Sequence, residues 1–125
     1  MIQLTKDFFI FENGLWACQL DYKGRELLVY IRGGDRFLDG EENLSLLNDF
    51  VERLEVFDAS AQNFARTSEY RDEIIAAGEL TLSTVYVEGW VDVRFWFSLG
   101  KGAEQMLGVH RMENDFVSVY CDEPM

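Results

Sequence analysis

The side chains that could do chemistry in this chain are few, and a single histidine, His110, is the scarcest of them. Histidine is the usual side chain for proton transfer near neutral pH and a common metal ligand. His110 stands between Val109 and Arg111 in a strand-like run, where a lone histidine is more often packed than catalytic. No serine or cysteine is tied to it by a motif such as G-x-S-x-G. The chain therefore favours binding over catalysis, and we expect no cofactor.

Carboxylates are abundant, and the segment 35–58 carries eight of them against two arginines. They are Asp35, Asp39, Glu41, Glu42, Asp49, Glu52, Glu55 and Asp58. The first four surround Gly40, but their spacing does not match a calcium-binding loop, so we expect no metal there. Two interpretations fit the segment. It captures a basic protein partner, or it is the solvated side of an amphipathic helix.

A second candidate surface is aromatic. Trp90, Asp92, Arg94 and Trp96 alternate with apolar residues at 91–97, which places them on one face of a predicted strand. Trp and Arg are enriched at the energetically dominant positions of protein interfaces. We therefore add Trp90, Arg94 and Trp96 to the predicted partner-binding residues. Alternatively, loops or the amino-terminal strands cover this face.

The first third of the chain predicts a meander of three antiparallel strands. An apolar run at 8–11 ends at Asn13-Gly14, a strong hairpin signal because both turn positions must tolerate positive φ. Residues 16–22 alternate between apolar and polar, which indicates a strand with one buried face. Lys23-Gly24 marks the next turn, and residues 27–31 form the third strand.

The middle of the chain changes to helical periodicity. Apolar residues at steps of three and four predict one helix face packed on the sheet, made of Leu44, Leu47, Phe50, Val51, Leu54 and Phe57. Asp39, with Glu42 three residues later, predicts a capping box at the start of this helix. Asp58 is predicted to cap a second helical segment that ends near Gly78, as one helix or as two short ones.

Strands return after Gly78, and four are predicted, at 80–87, 91–99, 106–111 and 116–121. In the first of them, Leu80, Leu82, Thr84 and Tyr86 are expected on one face, with a turn at Glu88-Gly89. Strands segregated on either side of a helical middle predict a single α+β domain. We expect an antiparallel sheet of about seven strands, built from a three-strand and a four-strand meander, with helices on one face.

The composition of the chain limits the kinds of partner that we expect it to bind. The formal net charge of -12 and a pI near 4.3 disfavour nucleic acid and anionic membranes and favour a basic protein partner. Cys18 and Cys121 predict two reduced, buried thiols, since they are too few and too far apart for a disulfide framework. The amino terminus has no signal-peptide pattern and no apolar run approaches the ~20 residues of a membrane span, so we expect a cytoplasmic protein.

The layout resembles a group of small bacterial α+β domains. The resemblance is carried by Gly14-Leu15-Trp16 opening an early strand, the helix from Glu41 onward, and the late strand Gly89-Trp90-Val91-Asp92-Val93-Arg94-Phe95-Trp96-Phe97. Some domains of that style are immunity proteins of polymorphic or contact-dependent toxin systems. The resemblance implies a protein that occludes a cationic toxin, and it carries no residue roles with it.

Three functions follow as hypotheses. The first is an acidic protein-binding module of the immunity type. The second is a small enzyme or ligand-binding domain, with its pocket between the helices and an aromatic sheet face that contains Trp90, Trp96 or Trp16. The third is a structural module that forms a homodimer through a strand edge.

Overall fold

The computed structural model describes residues 4–89, 91–100 and 106–122. Within them it has three helices and seven strands after a short 3-10 turn at Lys6–Phe8, which confirms the predicted α+β class. The elements in chain order are β1 (Ile10–Glu12), β2 (Leu15–Tyr22), β3 (Arg25–Arg32), α1 (Glu41–Glu52), α2 (Leu54–Arg66), α3 (Arg71–Ala77), β4 (Leu80–Gly89), β5 (Asp92–Leu99), β6 (Met106–Met112) and β7 (Asp115–Asp122). None of the helices in these residues is both long and apolar enough to cross a membrane.

The described strands form one sheet whose spatial order follows the chain order from β1 to β7. Neighbouring strands are antiparallel except β3 and β4, which pair in parallel. The prediction of an antiparallel sheet is therefore wrong at this one pair. Parallel neighbours need a long crossover connection, and the helical segment between β3 and β4 supplies it. The edges of the sheet are β1 and β7.

The two predicted early turns are confirmed. Asn13 and Gly14 have φ of 54° and 80°, and Lys23 and Gly24 have 53° and 77°. Both are two-residue hairpin loops with positive φ at each position, the pattern of a type I′ turn. The apolar run before the first turn is only partly a strand. Phe8 closes the 3-10 turn by donating its backbone N–H to the carbonyl of Thr5, so β1 begins two residues later.

Strand β4 corrects a predicted face. The pairing of β4 with β5 shifts register between Leu82 and Thr84, where one extra residue is inserted. A one-residue shift exchanges the two faces of a strand. Val85 and Val87 are therefore buried, and Thr84 and Tyr86 lie on the opposite side, contrary to the unbroken alternation predicted. The strand also continues through Glu88-Gly89, instead of turning there.

Both predicted helix caps are wrong. Gly40 is the N-cap of α1 and makes no side-chain cap bond, while Asp39 forms an ion pair with Lys6. Asp58 does not start a helix, because it lies buried inside α2. The predicted end at Gly78 is confirmed. This residue has φ of 79° and donates its backbone N–H to the carbonyl of Ile74.

The core is one cluster to which helices and strands both contribute. The rings of Phe50 (α1) and Phe57 (α2) lie 6.3 and 6.2 Å from that of Phe95 in β5. Burying each such side chain contributes roughly 1.5–3 kcal/mol. Residues that alternate with this buried set form the other side of the sheet, here called the outer face. Its members include Leu28, Tyr30, Tyr86, Arg94, Trp96, His110, Ser118 and Tyr120.

Candidate functional site

The seven predicted partner-binding carboxylates are all exposed to solvent. They are Asp35, Asp39, Glu41, Glu42, Asp49, Glu52 and Glu55. Among the described residues, Asp39 is the only one of the seven in an ion pair, with Lys6. Within the same residues, no three acidic, histidine or cysteine side chains are placed to hold a metal ion. The segment therefore presents unneutralised carboxylates to solvent.

Helix α1 spaces four of these carboxylates along its length. Glu41 and Glu42 occupy its first turn, where the helix dipole stabilises negative charge. Asp49 and Glu52 follow on the solvent side, and Glu55 lies just beyond in α2. A helix of 12 residues is about 18 Å long, so the acids border an extended surface. The eighth carboxylate of the segment, Asp58, is not part of this surface because it is buried.

An apolar groove of about 400 Å³ runs along the acidic surface between β2 and the junction of α1 with α2. Its lining residues are Leu4, Leu20, Asp21, Tyr22, Val51, Glu52, Leu54, Glu55 and Val56. Leu4 and Leu54 are buried in its floor, while the carboxylates of Asp21, Glu52 and Glu55 are exposed on its rim. None of the three carboxylates is in an ion pair with a described residue. We call this feature the acidic groove.

Asn48 of α1 fixes one end of the groove. Its side-chain oxygen accepts the backbone N–H of Leu4 at 2.6 Å, and its amide nitrogen donates to the Leu4 carbonyl at 3.0 Å. The side-chain amide of Asn48 thus satisfies both backbone hydrogen-bonding groups of Leu4, as the backbone of a neighbouring strand would. This pairing holds the amino-terminal segment against α1 and places the Leu4 side chain in the groove floor.

On the other side of the groove, Asp58 holds the lining residue Tyr22 in place. Its buried carboxylate accepts hydrogen bonds from the Tyr22 hydroxyl at 2.6 Å and from the Gln62 amide at 2.9 Å, and Lys23 lies 3.9 Å away. A buried charge is tolerated when it is hydrogen-bonded and paired in this way. Burial raises the pKa of Tyr22 well above its usual range, and the hydrogen bond to Asp58 adds to that effect. The contact ties β2 to α2.

The predicted aromatic surface is located on the outer face. Trp96 and Arg94 lie there half-buried, on the side of the sheet opposite the Phe95 ring and the helices. The Trp96 ring meets the ring of Tyr120 edge-on at 5.1 Å. Trp90 lies outside the described residues. The structure therefore does not bring Arg94 and Trp96 together with the acidic residues.

His110 also lies on the outer face. Its Nε2 atom is 2.7 Å from Oδ1 of Asp92, and both side chains are half-buried. Arg94 is its direct neighbour across the strand pair. Within the described residues, no hydroxyl or thiol group is hydrogen-bonded to the imidazole. The contact pairs His110 with one carboxylate, and it joins β5 to β6.

The hypothesis of a small enzyme or ligand-binding domain predicted a pocket between the helices and a sheet face that carries tryptophans. For Trp96 and Trp16 this predicted position is wrong. Trp96 faces away from the helices. Trp16 is buried, and its indole N–H donates to the Gly34 carbonyl at 2.9 Å. Cys18 is a buried free thiol, as predicted, and its burial raises its pKa to about 12, whereas Cys121 is half-buried.

Of the residues that line the acidic groove, sequence reasoning predicted only Glu52 and Glu55 as partner-binding, and it did not connect Leu4, Leu20 or Asp21 with them. Leu20 and Asp21 belong to a strand, and Leu4 to the amino-terminal segment, far in the chain from the acidic helix. The alternation at 16–22 identifies which β2 residues face the core. It carries no signal for which helix packs beside them.

Comparisons with protein-family models, curated proteins and solved structures found no match to this chain.

Proposed function

We propose that this protein binds a basic protein partner through the acidic groove and the carboxylates along α1, as an immunity-type inhibitor binds a cationic toxin. The proposal is supported above all by the acidic groove. Its lining is largely apolar, and the three carboxylates on its rim have no ion-pair partner among the described residues. A cytoplasmic location stays a prediction from the sequence.

The chemistry of the groove fits an arginine or lysine side chain. Such a side chain has an apolar stem and a charged head, and it is stable where the stem meets apolar surface and the head meets carboxylates. Leu20, Val51 and Leu54 supply the apolar surface, and Glu52 and Glu55 supply the charge. Each buried methylene contributes about 0.8 kcal/mol, and each exposed ion pair about 0.2–1 kcal/mol.

One inserted side chain does not make a stable complex, so the adjoining surface matters. Stable protein interfaces bury roughly 800 Å² on each partner. The carboxylates along α1 extend the negative surface beyond the groove, and Val56, 61% exposed, adds apolar area at its rim. Complementary charge also accelerates association and makes it sensitive to salt.

The proposal is tested with a short amphipathic peptide that alternates leucine with arginine and lysine, titrated by fluorescence anisotropy. The variant Asp21→Asn/Glu52→Gln/Glu55→Gln removes the rim carboxylates. The matched control, Glu69→Gln/Asp72→Asn/Glu73→Gln, removes the same number of charges from exposed positions at and before α3. We expect the groove variant to bind about tenfold more weakly than the control, because three exposed ion pairs are lost.

Two outcomes contradict the proposal. If both variants weaken binding equally, only the net charge of the protein attracts the peptide. If a peptide with glutamine in place of arginine and lysine binds as tightly, the carboxylates have no role in recognition. In either case the acidic groove is not a binding site for basic segments.

A further inference from the structure

A second cavity, of about 510 Å³, lies where the junction of α1 and α2 meets the turns at the ends of β5 and β6. Arg53, Phe57 and Arg111 are among the residues that line it. The volume is within the range of ligand-binding pockets, about 300–1,000 Å³. We call this cavity the arginine pocket.

Two arginines approach one aromatic ring in this pocket. The guanidinium carbon of Arg53 lies 5.0 Å from the centroid of the Phe57 ring, and that of Arg111 lies 4.8 Å from it. Arg53 is the single residue between α1 and α2. Arg111 continues the buried side of β6 after Leu107 and Val109, so it brings a positive charge to the edge of the core. A cation is attracted to the face of an aromatic ring, so these contacts help to hold both side chains in place.

The guanidinium groups of these two arginines have no acceptor in the part of the chain that the structure describes. Among the described residues, neither guanidinium forms an ion pair or a side-chain hydrogen bond, although the chain carries a net charge of -12. A contact with an aromatic ring satisfies none of the five N–H donors of arginine. The pKa of Arg111 is lowered, first by its burial and then by the charge of Arg53, while Asp115 opposes the shift. A negative charge between the two arginines would oppose this shift, because it stabilises the charged form of both.

The remaining lining selects the kind of anion. Leu46 and Val91 are exposed apolar side chains of the lining, and the buried Phe50 adds an aromatic ring to it. Asp49 and Glu113 are exposed at the same pocket and repel further negative charge. The backbone N–H of Glu113 donates to the Val91 carbonyl at 2.6 Å, which fixes this rim.

We infer that the arginine pocket binds a small monocarboxylic acid, with its carboxylate at Arg53 and Arg111 and its apolar chain against Leu46, Phe50 and Val91. This site is separate from the acidic groove, so failure of one inference leaves the other standing. Multiply charged anions such as phosphate or dicarboxylates are expected to bind more weakly, because Asp49 and Glu113 face them.

The test is an NMR titration that follows the methyl signals of Leu46 and Val91, with hexanoate as the probe. We expect saturable shifts with hexanoate, binding at least about tenfold weaker with acetate, which lacks the apolar chain, and weaker binding of adipate, which adds a second carboxylate. Hexanamide, which is neutral and nearly the same shape, should give no saturable shift.

Variants assign the binding to the two arginines. Arg53→Gln and Arg111→Gln should each weaken hexanoate binding about tenfold, the usual effect of removing a hydrogen bond to a charged group. Arg36→Gln makes the same change of charge at an exposed loop position and should leave binding unchanged. The exposed Arg53 tests the inference even if Arg111→Gln impairs folding. Equal binding of hexanamide and hexanoate, or wild-type affinity in Arg53→Gln, overturns it.

Discussion

At the scale of single residues, the buried carboxylate of Asp58 holds Tyr22, one of the residues that line the acidic groove. Asp58 is 3% exposed, and the hydrogen bond that it accepts from Tyr22 joins the end of β2 to the middle of α2, while the bond from Gln62 lies within α2. Removing a donor from a buried charge costs more than an average hydrogen bond, because the charge stays desolvated. A substitution of Tyr22 therefore measures how much this contact contributes to the free energy of unfolding.

Replacing Tyr22 with phenylalanine should lower the free energy of unfolding by about 1–3 kcal/mol at neutral pH, because the buried Asp58 then loses one of its two hydrogen-bond donors. Urea denaturation followed by circular dichroism measures the change. Tyr30→Phe, on the outer face, is the control and should change the free energy of unfolding by less than about 0.5 kcal/mol. Equal losses in the two variants would mean that the hydroxyl of Tyr22 contributes nothing specific.

The same residue predicts a dependence on pH. The pKa of Tyr22 is higher in the folded protein than in the unfolded chain, where it is about 10. The stabilisation is therefore complete below pH ~10 and is lost as the pH rises from there toward the folded pKa, since the unfolded chain releases the proton first. In the wild type, the free energy of unfolding should fall more steeply above pH ~10 than in Tyr22→Phe. Parallel pH profiles would contradict the assigned cause.

At the scale of elements, Gly108 of β6 allows two large rings to lie over the outer face. A Cβ atom at this position would lie 2.6 Å from the Tyr120 ring and 2.9 Å from the Trp96 ring. Those rings come from the strands on either side, β7 and β5. The edge-on contact between Trp96 and Tyr120 therefore depends on the absence of a side chain in the strand between them.

Gly108→Ala should lower the free energy of unfolding by about 1–3 kcal/mol, the usual cost of an added group in a packed region. Thermal denaturation measures the loss, and the fluorescence of the folded variant reports displacement of Trp96. At Gly34 an added Cβ would meet no atom within 4 Å, so Gly34→Ala is the control, with an expected change under about 0.5 kcal/mol. A Gly108→Ala protein as stable as this control would show that the rings move aside without cost.

At the scale of the whole molecule, the net charge of -12 acts against the compact state. Like charges on one surface repel each other, and dissolved salt screens the repulsion. Glu41, Glu42, Asp49, Glu52 and Glu55 concentrate this repulsion along α1 and the start of α2. The surface that we propose to attract a basic partner is therefore expected to destabilise the unbound protein.

Raising the NaCl concentration should increase the free energy of unfolding by on the order of 1 kcal/mol, because self-repulsion is screened. Urea denaturation at low and high salt measures the increase. The variant Asp21→Asn/Glu52→Gln/Glu55→Gln should be more stable than the wild type at low salt and should respond less to added salt. A wild type that loses stability with salt would show that its ion pairs outweigh its repulsion.

The sequence by itself determined the local features of this protein. Asn13-Gly14 and Lys23-Gly24 specify hairpins because few residue pairs tolerate positive φ at both turn positions. Periods of two and of three to four residues separate strands from helices, since each reflects the geometry of a single element. The exposed carboxylates of α1 follow from the same reasoning, because the apolar positions define the buried side.

Only the tertiary structure decided which elements and side chains are neighbours in space. The parallel pairing of β3 with β4, the burial of Asp58 and the bulge after Leu82 all depend on contacts between residues distant in the chain. Asp58 is of a residue type that is common at helix N-caps, and its burial depends in part on the hydroxyl of Tyr22, 36 positions earlier in the chain. The acidic groove and the arginine pocket arise in the same way, because both are spaces between elements, and local propensity contains no information about such spaces.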